Sequence, residues 1–350
     1  MKNKFDYSGY SESKLLSLCS EKNSFTGYCE WKYWSSELYS FGKYARIYGF
    51  YPKWLPLYVY MEHGVDMLPT EYIAPHNIEN DAYCMFFMDS RKIPFYKKQT
   101  NKPCYPMKSL SVFCRRYKKI NKIKNSIGTL FFFSHSTPDI DNNMNIEKLC
   151  DDLKQLPESF QPVCVCLHMH DINKGCHKVF IDNNIPVYTA GNTSDCRFSE
   201  RFYQLMKNFK YSASNEIGSY TFYSVEMQIP FFYYGSPPEY YNKLDDNIPK
   251  GPYNLYKTSG LYNNTVKMFT CLYDGNGIII SEEQKEAVRI KLGLDTGIPR
   301  LKMSSILWKA YFQNENVFDF IIRFIKYWHT VLLIFIAILK RGKKDFSPLE

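Results

Sequence analysis

A chain of 350 residues with 45% hydrophobic content holds enough apolar material for one large or two medium packed domains, which excludes an extensively disordered polypeptide. Its formal net charge of +9 favours acidic partners without choosing among anionic lipid, nucleotide phosphate and nucleic acid. Eleven cysteines, an odd count without paired C-x-x-C spacing, point to reduced, buried thiols of a cytosolic protein rather than to a disulfide framework or a zinc site.

The first residues, MKNKFDYSGYSESK, contain no apolar run of signal-peptide length, so the expected location is cytoplasmic. Residues 1 to about 50 are rich in Tyr, Trp and Ser, with a helix predicted over Ser36 to Tyr44. Trp54 to Met61 reads as a buried strand that ends in Glu62-His63-Gly64-Val65. Ligands of doubly wound sheets collect beyond the carboxyl ends of strands, which makes His63 a candidate base or phosphate partner; the alternative is a loop histidine that only stabilises its turn. Further strands are predicted over Asp81 to Asp89 and near Lys102 to Met107. Arg115 to Lys124 carries six basic residues in ten and reads as a solvated face or linker, with an anionic contact as the alternative. A domain boundary is placed there.

Gly128 to Phe133 opens the second half as a strand and Ser134-His135-Ser136-Thr137 closes it, again with polar residues at the carboxyl end. A helix follows over Asn145 to Gln155. Val163 to Asp171 is a strand pattern in which His168 and His170 share one face; substrate contact and, with a third ligand, zinc are both open to them. Helices near Gly175 to Asn183 and Arg197 to Asn208 flank the strand Ile185 to Ala190 and its turn, Gly191-Asn192. The stretch KYSASNEIGSYTFYSVEMQIPFFYYG, Lys210 to Gly235, condenses strand, loop, helix and strand into one unit. Gly218 allows close backbone approach and Ser219 can cap a helix whose first amides would receive an anion; the plainer reading is an ordinary helix start.

Three β-loop-α units in succession require a parallel, Rossmann-like sheet. The Lys210 to Gly235 unit also resembles the nucleotide-sugar-binding half of glycosyltransferases built from two Rossmann-like domains, the GT-B fold, through Gly218-Ser219, Glu226 and the run Gln228-Ile229-Pro230 to Gly235. More closely, the chain is similar to transferase-like proteins of bacterial surface-polysaccharide gene clusters, over about Leu57 to Gly293. The resemblance implies an α/β fold of two Rossmann-like domains facing a central cleft: residues 1–125 on the acceptor side, 126–300 binding the nucleotide sugar, and 301–350 forming C-terminal helices. It implies a metal-independent transfer of sugar from a nucleotide donor to a glycan or lipid-linked glycan acceptor in surface polysaccharide or lipopolysaccharide synthesis, without a cofactor and without nucleic acid. His63 is then the candidate acceptor base and His135 the group assisting the leaving phosphate. The donor contacts are Ser136, Thr137, His168, Gly191, Asn192, Asn215, Gly218, Ser219, Tyr220 and Glu226. Asp139-Ile140-Asp141 matches the D-x-D pattern with which GT-A glycosyltransferases hold a metal, although an Asx-rich turn explains it as well. A non-catalytic glycan- or nucleotide-binding scaffold is the alternative function, and a metal-dependent hydrolase centred on His168, His170 and Asp171 a lesser one.

From Ser236 to Tyr256 the chain is a Pro- and Tyr-rich surface excursion, followed by helices over Ser281 to Leu292 and Lys302 to Phe312. Val317 to Leu339 is strongly apolar and precedes Lys340-Arg341-Gly342-Lys343-Lys344, but Asp319, Arg323, Lys326 and His329 interrupt its first half. A helix lying on the inner face of the cytoplasmic membrane fits this better than a span, with an internal packing helix as the other possibility.

Overall fold

The computed structural model describes residues 5–21, 30–65, 67–245, 250–253, 260–270 and 277–341. Parts of the Ser236 to Tyr256 excursion (246–249 and 254–256) and Gly342-Lys343-Lys344 lie outside them. Chain order is α1 (Glu12–Cys19), α2 (Trp34–Glu37), α3 (Phe41–Tyr48), β1 (Tyr60–Met61), α4 (Pro75–Glu79), β2 (Met85–Phe87), α5 (Ile93–Gln99), β3 (Cys104–Pro106) and α6 (Leu110–Tyr117). The second half continues with β4 (Ile127–Phe132), β5 (Ile140–Asn142), α7 (Ile146–Lys154), β6 (Val163–Cys166), α8 (Met169–Asn173), α9 (Cys176–Asp182), β7 (Val187–Tyr188), α10 (Phe198–Met206), β8 (Phe209–Ser214), α11 (Ser219–Glu226) and β9 (Phe231–Tyr233). It ends with β10 (Tyr240–Asn242), β11 (Gly251–Tyr253), α12 (Gly260–Phe269), α13 (Glu282–Lys291), α14 (Arg300–Asn314) and α15 (Val317–Arg341).

The chain is a mixed α/β protein with two parallel sheets. One has the order β1-β2-β3; the other has five strands in the order β7-β6-β4-β8-β9. The second order means that the chain winds outward from β4 through β6 to β7, then returns to the far side of β4 for β8 and β9. The crevice between the loops that leave β4 and β8 is therefore the point where winding reverses, the usual ligand position in open α/β sheets. Helices cover both faces of this sheet, so β4 has no solvent side: Leu130 and Phe132 pack with Phe222 and Val225 of α11, while Phe131 packs with Leu149 and Leu153 of α7. That double burial is why the strand reads as a continuous apolar run rather than an alternation. A small antiparallel sheet, β11-β10-β5, carries part of the excursion after Ser236 back against the loop that follows β4.

Chain segments cross between the two sheets at both ends. Leu15 and Cys19 of α1 are buried with Val165 and Val187 of the five-stranded sheet, whereas Met303, Ile306 and Leu307 of α14 are buried with Val59 and Met61 beside β1. The strand expected over Asp81 to Asp89 shortens to Met85–Phe87, and that expected over Val163 to Asp171 stops at Cys166. The helix expected over Ser36 to Tyr44 is broken, because Tyr39 and Ser40 take φ of 56° and 68° between α2 and α3. Below the break, Glu37 and Arg46 form a two-pronged ion pair, both side chains at least nine-tenths buried. A Cβ at Gly42 would sit 1.6 Å from the Glu37 carboxylate, so only glycine fits where that carboxylate crosses the helix.

The basic run is not wholly a solvated linker. Arg115 at the end of α6 grips Glu226 with two bonds of 2.7 Å, and Arg116 adds a third of 2.8 Å. Glu226 is almost fully buried, and truncating one partner of such a pair strands the other charge without water. Glu226→Ala is expected to lower unfolding free energy by about 3 kcal/mol, and the double change Glu226→Met with Arg115→Met to recover much of it, as read by urea denaturation.

Candidate functional site

A cavity of about 560 Å³ opens where the loops after β4, β6 and β8 meet the loop after β1. Two of its lining residues are joined by a hydrogen bond, the backbone N–H of Val65 donating to Ser219 Oγ at 2.9 Å. His63, His135, Thr137, His168, Gly218, Ser219 and Tyr220, all singled out from sequence, line it together. The aromatic excess is legible here: Tyr39, Phe198, Phe202, Tyr220 and Tyr223 form much of the wall.

The loop after β8 builds one side. Gly218 stands at the N-terminal boundary of α11, and the backbone N–H groups of Ser219 and Tyr220 have no acceptor among the described residues. Four amide donors are left over at any helix start, and here two of them border the cavity. Tyr220 lies flat on Phe132, ring centroids 4.9 Å apart, and its hydroxyl donates to the Glu216 carbonyl at 3.2 Å. Glu216 also lines the cavity; Tyr240 of β10 donates to its Oε2 at 2.6 Å, and burial pushes its carboxyl above the ordinary carboxylate value. Glu216 was missed from sequence although it lies between the named Asn215 and Gly218. The available signal was its place at the carboxyl end of a buried strand; the partner that completes it, Tyr240, is 24 residues away.

Opposite stand the histidines. Beyond Cys166 the chain turns, and His168 caps α8 by accepting the His170 N–H at Nδ1, 3.4 Å. His168 and His170 thus do not project from one strand face, as their alternation had predicted. With Nδ1 accepting, the neutral His168 ring carries its proton on Nε2, which is buried and has no partner among the described residues. His135 stacks on His168 at 4.4 Å with an interplanar angle of 22°. Its Nδ1 lies 2.8 Å from the Ser136 carbonyl, which fixes the proton there and leaves Nε2 as an acceptor. From the first sheet, His63 Nδ1 meets Ser35 Oγ at 2.9 Å, and the Ser35 hydroxyl donates to the Met61 carbonyl at 2.5 Å. The serine's only proton is committed, so His63 donates from Nδ1 and Nε2 is the free base. Tyr39, turned by the break between α2 and α3, stacks on His63 at 5.9 Å and Trp34 meets it edge-on at 4.9 Å.

The remaining sequence-named residues have other places. Ser136 gives both its N–H and its hydroxyl to Asp171, whose carboxyl is pushed up by burial. Asn192 holds the carbonyls of Cys19 and Ser20, and Gly191, at φ 87°, brings its backbone against the Leu18 carbonyl. Asn215 bridges Ser134 and Ser236 beneath the cavity. Glu226 lies at the opposite end of α11 from the cavity loop, held by Arg115, which makes it a tie between the two sheets. Asp141 of the D-x-D run is paired with Lys174 and Lys243, and among the described residues no three His, Cys, Asp or Glu side chains converge as a metal-ligand set.

Chemically the cavity offers neutral donors (two amides and His168 Nε2) and acceptors (His63 Nε2, His135 Nε2 and the Glu216 carboxyl). Among the described residues, no Lys or Arg lines it. No protein-family model matches this chain, and no curated protein matches it significantly.

Burial holds His63 and His170 at about 4, against an ordinary value near 6.5, and His168 well below it; the neighbouring imidazoles act in the same direction. The folded protein thus refuses protons that the unfolded chain accepts, so stability declines as pH falls from 6.5 towards 4. Urea unfolding at stepped pH is expected to show that slope, and His63→Gln with His170→Gln to flatten it.

Proposed function

We propose that the chain is a glycosyltransferase of the two-Rossmann type, holding a nucleotide-activated sugar in this cavity and passing the sugar to a glycan hydroxyl. The observation that carries the reading is the start of α11: unclaimed backbone donors at the winding reversal of a parallel sheet, with an aromatic-walled space before them and a histidine from a second parallel sheet across it. The two amides and His168 Nε2–H receive the donor's diphosphate, whose charge is met by the helix dipole and preorganised dipoles instead of by a lysine or arginine. His135 stands where the nucleoside diphosphate leaves, and a proton taken up there from solvent would turn Nε2 from acceptor to donor toward the departing phosphate oxygen. Aromatic faces accept the base or a sugar ring. His63 Nε2 and the Glu216 carboxyl are the two groups able to take the proton from the attacking hydroxyl.

A glycan acceptor extended on a lipid carrier, in surface polysaccharide or lipopolysaccharide assembly, suits this chemistry at a cytoplasmic membrane face. Purified protein is screened by thermal shift against nucleotides and nucleotide sugars, since a ligand of the native state raises the melting temperature by mass action. Labelled donors that raise it are then tested for transfer or hydrolysis. His63→Ala or Glu216→Gln is expected to lower turnover by about 100-fold with KM little changed, whereas Glu226→Ala leaves KM unchanged and lowers only the melting temperature. Donor binding without transfer to any glycan would leave the scaffold reading in its place; no shift with any nucleotide or nucleotide sugar would remove the transferase.

A further inference from the structure

Among the described residues, the last helix meets the body along its first half. Phe320, Phe324 and Tyr327 gather round Trp54 with ring centroids 5.3, 5.8 and 6.0 Å away, and Arg323 pairs with Glu315 at 2.7 Å. Away from that seam, Val317, Ile321 and Ile325 are 60%, 45% and 59% exposed, and Trp328 is 53% exposed. Together with Leu332 and Phe335 they recur at helical spacing and form one apolar ridge along α15. Asp319, Arg323, Lys326 and Thr330 recur three or four apart along another line of the helix, giving it a polar edge.

Past Thr330 the apolar character spreads round the helix. Leu332, Leu333, Ile334, Phe335 and Ile336 are 54%, 52%, 55%, 56% and 37% exposed. Five consecutive residues exceed one turn of about 3.6 and point in every direction, so a single partner helix or groove would cover only some of them. A fluid apolar phase covers them all. No helix among the described residues is long and apolar enough to cross a membrane. The uncharged segment Val331 to Leu339 spans only about 13 Å, less than half of a hydrocarbon core of about 30 Å. It is bracketed by Lys326 and His329 on one side and Lys340-Arg341 on the other, with an exposed tryptophan at its entrance. Basic residues at both ends of a short apolar segment keep both ends at the headgroups, where anionic lipid complements them.

We propose that α15 seats the protein on an anionic lipid bilayer, lying in the plane of the interface with the ridge from Val317 through Ile321, Trp328 and Leu332 to Phe335 immersed. The surface is independent of the chemistry assigned to the cavity. In flotation assays the full chain is expected to rise with vesicles of phosphatidylcholine mixed with phosphatidylglycerol, far less with phosphatidylcholine alone, and less again as salt is raised. Leu332→Asp with Phe335→Asp is expected to cut partitioning by more than about tenfold without moving the melting temperature, because these side chains stand clear of the body. Leu301→Asp, at an exposed position of α14, is the control and leaves flotation unchanged. Absence of flotation, equal flotation on both vesicles, or undiminished binding by the double variant would overturn the proposal. So would lipid-free self-association in sedimentation velocity that the double variant abolishes, since a second copy would then be the cover.

Discussion

Helix α11 is pinned at both ends, and the cavity exists because of it. At its start Ser219 receives the Val65 amide from the loop after β1, and at its end Glu226 is clasped by Arg115 and Arg116 from α6. The first joins α11 to the loop between β1 and β2, and the second joins it to α6, which follows β3. They differ in kind: the first is a neutral hydrogen bond at the rim of a cavity, whereas the second is an ion pair shielded from water, where losing one member costs several times a typical surface pair. The helix is thus anchored firmly at the end remote from the cavity and lightly at the end where ligand would enter.

The histidines show what such an enclosure does to charge. His63, His168 and His170 sit where burial first, and then a neighbouring imidazole (His76 for His63, His135 for the other two), penalises the imidazolium, so at neutral pH they act through lone pairs and single N–H groups. Hydrogen bonds to Ser35, Ser136 and the α8 backbone decide which nitrogen carries the proton in the rings of His63, His135 and His168. Among the described residues no Lys or Arg lines the cavity, so a ligand held there would meet directed donors and acceptors and the faces of Tyr and Phe.

Much of this architecture was readable in the sequence because buried parallel strands announce themselves: Val163 to Cys166 and Gly128 to Phe133 are apolar without interruption and stop at polar residues. The same rule located His63, His135 and the Gly218-Ser219 turn at strand ends. It failed where a polar residue has a local structural duty that spacing does not reveal. His168 looks like a strand position and is a helix cap; Asn192 and Ser136 look like ligand contacts and bind the protein's own backbone and Asp171. Glu226 was named as a donor contact through the GT-B resemblance, and only the fold shows the two arginines, over 100 residues earlier, that claim it. Glu216 and Tyr240 meet only after the chain has passed through β9 and returned, a closure no local pattern encodes.

The crossing of the chain ends bears on how the protein is made. The layer beside β1 is finished by Met303, Ile306 and Leu307, nearly 250 residues downstream of Val59. Until α14 has left the ribosome, the N-terminal half offers an unfinished apolar surface to solvent, while α1 waits for β6 and β7. Chaperone engagement during synthesis follows from that delay, and so does the prospect that neither half, cut near residue 125, would stay soluble alone.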